Sequence, residues 1–157
     1  MSDVEHLAVR ASHVADKTQE RWSPARIFML ISVLYHLPLG IAGLIYDQTF
    51  PVGAVEAEHA GSDHIFGIFE TNGWHSLAAL ALGVFSVYFM MRPRRARDAA
   101  LVIGVLHVGI VIAFIAWPPE TFWFASNTAD QIVHSFTAIG GIGAAMLSRD
   151  TRSAEAA

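Results

Sequence analysis

The chain of 157 residues contains no cysteine, which excludes disulfide frameworks, thiolate metal sites, cysteine nucleophiles and c-type haem attachment together. Charge is scarce as well: 15% of the residues are Asp, Glu, Lys or Arg, where an ordinary soluble domain carries about a quarter. Basic charge is the scarcer kind, with 10 Lys and Arg against 14 Asp and Glu and a net charge of −4. A nucleic-acid binder should carry a basic face, so no nucleic-acid partner is expected. No nucleotide loop, hydrolase nucleophile motif or conventional zinc motif is present either, and the chain is not expected to be an enzyme. The length suits one domain.

Apolar residues are abundant, at 54%, and they are grouped. Residues 27–46 form twenty positions without a charge, 73–91 and 99–117 form nineteen each, and 131–147 form seventeen. A helix needs about 20 apolar residues to cross a bilayer. The expected fold is therefore all-α, an integral membrane four-helix bundle over residues 23–148, flanked by an N-terminal tail (1–22) and a C-terminal tail (149–157). Residues 1–22 are too polar and too mixed in charge for a secretory signal. The fourth stretch is the weakest, because Gln131, His134 and three glycines dilute it. Ser23 and Pro24 read as N-cap and first residue of helix one, Asn72 as the cap of helix two, and Thr128 with Gln131 as a capping box for helix four. Pro38 inside the first helix should kink it.

The ten basic residues sort by position. Arg10, Lys17, Arg21 and Arg26 precede the first span, Arg92, Arg94, Arg95 and Arg97 separate the second from the third, and Arg149 and Arg152 follow the fourth. The other two loops hold only acids: Asp47, Glu56, Glu58, Asp63, Glu70, Glu120 and Asp130. Short basic loops stay in the cytoplasm, so both termini are expected inside a cell inner (plasma) membrane. The positive-inside rule alone accounts for the arginine loop. The loop with Glu56, Glu58, His59, Asp63 and His64 reads as solvated acid rather than as a metal site.

Two segments resemble each other, His75-Ser76-Leu77-Ala78-Ala79 and His134-Ser135-Phe136-Thr137-Ala138, each preceded by an asparagine, Asn72 or Asn127. The helix pairs would then be two parallel repeats. Each span carries one histidine. His36 and His107 fall near mid-helix, while His75 and His134 fall near the outer ends, so the two levels differ by roughly 9–12 Å. Imidazole ligands must lie within about 2.1 Å of a metal, so two separate pairs are expected rather than four histidines around one ion. Intramembrane ionisable groups suggest function. His36 and His107 suit a haem or a metal ion; His75, His134, Glu70 and Asp130 suit an outward cluster that binds a cation or relays protons. The ordinary role is hydrogen bonding between helices, with Tyr35, Ser76 and Ser135 as partners. Gly40 with Gly43, Gly104 with Gly109, and Gly140 with Ala144 read as close-packing surfaces, and Trp22, Trp74, Trp117 and Trp123 as an interfacial belt.

The stretch Gly67-Ile68-Phe69-Glu70-Thr71-Asn72-Gly73-Trp74-His75, together with Asn127-Thr128-Ala129-Asp130 and His134, resembles the signature motifs of an uncharacterised bacterial four-helix membrane protein family, the domain of unknown function numbered 4383. The resemblance covers most of residues 25–148 and implies a four-helix integral membrane protein without implying an activity. The family pattern continues His-Asn-x-x-His in the second helix. Here Ser76 and Ala79 stand at the asparagine and the second histidine, which weakens a metal site centred on that helix. Asn72 and Asn127 double as helix caps.

The leading expectation is a multi-pass membrane protein of structural or accessory type, with the lipid bilayer, a homo-oligomer or a larger membrane complex as its partners and no cofactor. One alternative is a redox module in which the histidines hold a haem or metal ion. The other is a small cation or proton transporter.

Overall fold

A computed structural model describes residues 22–52, 64–117 and 123–148. Four helices make up nearly all of it: α1 (Pro24–Tyr46), α2 (Gly73–Met90), α3 (Pro93–Ala116) and α4 (Thr128–Leu147). Between α1 and α2 a small hairpin pairs β1 (His64–Ile65) with β2 (Phe69–Glu70), placing His64 opposite Glu70. Its tight turn needs left-handed backbone at Phe66 (φ 57°) and Gly67 (φ 70°), and glycine adopts that conformation without steric cost. The acidic stretch 56–63 lies outside the described residues.

Helix ends follow local chemistry more than hydropathy. Ser23 caps α1 by accepting from the Arg26 amide at 3.4 Å, with Pro24 at the first helical position, and α1 continues through Pro38. Asn72 caps α2, accepting from the His75 amide at 3.0 Å. The third helix starts at Pro93, six residues before the apolar run, so Arg94, Arg95 and Arg97 belong to its first turns rather than to a loop. Proline fixes a helical φ and arginine is a good helix former, and neither property shows in hydropathy. The fourth helix starts at Thr128, three residues before the expected 131, and its capping box is Asn127 with Asp130 instead of Thr128 with Gln131. Asn127 Oδ1 accepts from the Asp130 amide at 3.1 Å, and the Asp130 carboxylate accepts from the Asn127 amide at 2.9 Å.

The helices pack as two antiparallel hairpins, α1 on α2 and α3 on α4, and each hairpin closes on missing side chains. A Cβ added at Gly40 would sit 2.5 Å from the Leu80 backbone nitrogen, and one at Gly83 would sit 2.9 Å from that of Leu37. In the other hairpin the corresponding approaches are 2.7 Å from Gly104 to the Ile142 nitrogen and 2.7 Å from Gly141 to the Ala100 carbonyl. Gly109 faces open space and Gly140 meets only the Phe28 ring, so the close face of α4 runs through Ala138, Gly141 and Ala145, one position from the expected Gly140 and Ala144.

At one end of the molecule, arginines hold the helices together. Arg26 Nε donates to the Met90 carbonyl at 3.1 Å, and Arg97 Nε donates to the Ala145 carbonyl at 3.1 Å. Each thereby satisfies a carbonyl at the C-terminus of the partner helix, where a cation is also favoured by the helix dipole. Between these contacts lies a plug of small and apolar side chains, Ala25, Met29, Ala96, Ala99, Ala100, Ile103 and Ala145. At the opposite, hairpin end the asparagines play the equivalent part. Asn72 Nδ2 donates to the Trp123 carbonyl and Asn127 Nδ2 to the Ile68 carbonyl, at 2.8 and 2.7 Å.

The distribution of polarity is inside out. Ser32, Ser86, His36, His107 and Asp130 are buried, whereas Leu34, Ile45, Ile115, Phe136, Ile139 and Met146 are at least two-thirds exposed. Three helices, Pro24–Tyr46, Gly73–Met90 and Pro93–Ala116, are long and apolar enough to cross a membrane; α4, with its polar first two turns, is not one of them.

Candidate functional site

The helix ends set the depth of each histidine. Counted from the hairpin end of its own helix, His75 is two residues in, His134 six, His107 nine and His36 ten. A rise of 1.5 Å per residue puts them at depths of about 3, 9, 14 and 15 Å. Because α4 begins at Thr128, His134 sits about a turn deeper than His75 and bridges the two levels.

The expected pairs do form. His36 and His107 have ring centroids 5.8 Å apart, and His75 and His134 6.1 Å apart. The expectation that the pairs stay separate does not hold, since His107 and His134 are nearer still, at 5.3 Å. One histidine from each helix therefore contributes to a single line, His75, His134, His107, His36. Among the described residues no three His, Asp or Glu side chains gather in a way that would hold a metal ion.

Tethers fix three of these rings. His36 Nδ1 lies 3.0 Å from the Ser32 carbonyl and His107 Nδ1 lies 2.8 Å from the Ile103 carbonyl, each four residues back in its own helix. His75 Nδ1 lies 2.8 Å from the Ala125 carbonyl, across in the segment that leads into α4. A carbonyl only accepts, so in each case Nδ1 carries the proton and donates. A neutral imidazole carries one N–H, which leaves Nε2 of each ring as a bare acceptor. The expected helix-to-helix bonds through Tyr35, Ser76 and Ser135 are not made. Tyr35 meets His36 edge-on at 4.9 Å, Ser76 Oγ pairs with Thr71 Oγ1 at 2.8 Å, and Ser135 Oγ donates to the Gln131 carbonyl at 2.8 Å.

All four rings line one cavity of about 440 Å³. Its walls are otherwise apolar: Leu39, Ala78, Ala79, Leu82, Leu106, Ile110, Ala113, Phe114 and Phe124, with Tyr35 and Ser126 the other side chains that bear a hydroxyl. Among the described residues no group hydrogen-bonds Nε2 of His36, His75 or His107, nor either ring nitrogen of His134. Beyond His36 the polar line continues through Ser32 Oγ, 3.0 Å from His36 Nδ1 and 2.7 Å from Ser86 Oγ, and stops against the apolar plug. Neither serine was legible as a site residue, because serine in an apolar helix is common and its partner lies 54 positions away.

The two acids have other work. Asp130 is 1% exposed, and its carboxylate takes the amides of Asn127 and Glu70, so it fastens the hairpin to α4. Glu70 points back across the hairpin to His64, 3.8 Å away. Asn72 and Asn127 join the halves as well as capping their helices. Of the two departures from the family pattern, Ser76 is spent on Thr71, whereas Ala79 lies on the cavity wall one turn below His75, where its short side chain leaves space.

No curated protein and no solved structure matches the chain. The family described as Domain of unknown function (DUF4383) matches residues 26–147. That range is most of the chain, and the chain belongs to this family.

Proposed function

We propose that this protein is a multi-pass integral membrane protein of a bacterial plasma membrane, built of two parallel helix-hairpin repeats, that binds a small molecule in its histidine-lined cavity. The single observation that carries the reading is the convergence of four imidazoles, one per helix, on one apolar-walled space with their Nε2 edges unpaired. Its volume lies in the range of small-molecule sites, roughly 300–1,000 Å³. Acceptors that no protein group engages are open to a donor from outside the protein.

Membrane insertion is supported by the exposed apolar faces, which extend to α4 through Phe136 and Ile139. The described arginines all lie at the plug end and Asp47, Glu70 and Asp130 at the hairpin end, so the hairpin faces outward and both termini are cytoplasmic. A transporter reading finds less support, because the polar line ends at Ser86. The haem or metal reading has one observation in its favour: metal-bound histidines commonly donate their other N–H to a backbone carbonyl, as His36 and His107 do.

Native mass spectrometry of the protein released from its own membrane in mild detergent tests the proposal. A non-covalent adduct smaller than a phospholipid is expected on the wild type and is expected to be lost from Ala113→Trp, which fills the cavity. An adduct retained by that variant, or no adduct at all, counts against the cavity as a binding site. A Soret band, or stoichiometric metal by elemental analysis, would favour the haem or metal reading.

A further inference from the structure

Three tethered histidines do more than mark a site; they determine which hydrogen-bonding partner it accepts. Nδ1 of His36, His75 and His107 donates to the carbonyls of Ser32, Ala125 and Ile103 at 3.0, 2.8 and 2.8 Å. Moving the proton of any of the three rings to Nε2 would set an Nδ1 lone pair against a carbonyl lone pair, so the carbonyls favour the Nδ1–H tautomer. Three Nε2 lone pairs consequently face one cavity. The fourth ring, His134, holds one donor and one acceptor without a protein partner. Against these acceptors stand three donors, the His134 N–H and the hydroxyls of Tyr35 and Ser126. Acceptors thus outnumber donors in the cavity, in walls of alanine, leucine, isoleucine and phenylalanine.

We infer that the ligand is an apolar ring bearing hydroxyl donors, of the phenol or hydroquinone class, held by O–H···Nε2 hydrogen bonds from at least two of His36, His75 and His107. This rests on the cavity being a binding site. The alternative chemistry for the same lone pairs, a bare metal ion, suits the geometry less. It calls for three or four ligands about 2.0–2.1 Å from one point, and among the described residues no such group of His, Asp and Glu exists. An ion also leaves most of 440 Å³ of apolar-walled space unused. A carbonyl-bearing ring of the same shape, such as a quinone, can accept only from His134, Tyr35 and Ser126 and leaves the three Nε2 lone pairs unused, so it is disfavoured.

The test compares two probes that share a body and differ only in donors: tetramethylhydroquinone, kept reduced without oxygen, and tetramethylbenzoquinone. Equilibrium dialysis against the detergent-purified full chain is expected to show the hydroquinone bound at least tenfold more tightly. His107→Phe, which keeps an aromatic ring and removes the acceptor, is expected to weaken the hydroquinone about tenfold and the quinone little; Ala113→Trp is expected to abolish both. Equal affinities, a preference for the quinone, or hydroquinone binding indifferent to both substitutions overturns the inference. So does binding of Zn²⁺ or Cu⁺ at one equivalent that His107→Phe removes. If neither probe binds while the native adduct is still displaced by Ala113→Trp, the ligand class is wrong and the binding site stands. If that adduct too is missing, the site itself fails.

Discussion

At the scale of single residues, the two asparagines show how one side chain can serve two masters. Asn72 Oδ1 closes the first turn of α2 while its Nδ2 reaches the Trp123 carbonyl 51 positions away. Serine keeps an N-cap acceptor but is too short to span the second contact. Asn72→Ala should therefore cost about 2–3 kcal/mol, combining a lost cap of roughly 1 kcal/mol with a carbonyl left without its donor at roughly 1–2 kcal/mol. Asn72→Ser should cost about half as much. Unfolding in a detergent and denaturant series reads both; an Asn72→Ser variant as stable as the wild type would show that the bond to Trp123 contributes nothing, and equal losses in the two variants that the cap contributes nothing. The motif's asparagines were visible in the sequence as caps, but the second bond of each was not, because a cap is a local pattern and the partner carbonyl is set by tertiary structure.

At the scale of elements, the glycines separate into two kinds that composition does not distinguish. Gly40 and Gly104 lie where a Cβ would press on the backbone of a neighbouring helix, at 2.5 and 2.7 Å, and Gly109 and Gly143 lie in open space. Backbone cannot step aside as a flexible side chain can, so Gly40→Ala and Gly104→Ala should each destabilise by about 1–3 kcal/mol through overpacking. Gly109→Ala should be neutral or stabilise by up to about 1 kcal/mol, since alanine is the better helix former. Thermal unfolding of the three variants measures this, and a loss in Gly109→Ala as large as in Gly40→Ala would refute the assignment of faces. The number of helices and their approximate spans were legible because an uninterrupted apolar run of about twenty residues is too long for a strand and matches the length of a bilayer-crossing helix. The starts of α1 and α2 were legible too, from Ser23-Pro24 and Asn72; those of α3 and α4 were not, because hydropathy reports polarity and not helicity. The segment from Pro93 to Asp98, with Arg94, Arg95, Arg97 and Asp98, is charged and helical at once. The three residues added at the start of α4 move His134 a turn deeper, and that turn converts two expected histidine pairs into one connected line. Four histidines could be read from the sequence; the carbonyl tethers that aim them could not, since they depend on side-chain rotamers.

At the scale of the whole molecule, the two ends are chemically distinct, and the difference can be read without a ligand. The plug end carries Arg26, Arg92, Arg94, Arg95 and Arg97 with one acid, Asp98, and the hairpin end carries Asp47, Glu70 and Asp130 and the shallowest histidine of the line, His75. If the hairpin end faces outward, the histidine line lies toward the outer side, and the plug of small and apolar side chains lies between it and the cytoplasm. The absence of cysteine makes this directly measurable, because any introduced thiol is the only one in the chain. Val52 is 62% exposed just beyond α1 at the hairpin end, and Ser153 lies in the C-terminal tail. In whole cells a membrane-impermeant maleimide should label Val52→Cys and spare Ser153→Cys, and permeabilisation should make Ser153→Cys reactive. The reverse pattern would place the arginines outside, against the positive-inside rule, and would turn the histidine line toward the cytoplasm. Labelling of both thiols in intact cells would put the C-terminus on the hairpin's side, the outcome of three crossing helices instead of four.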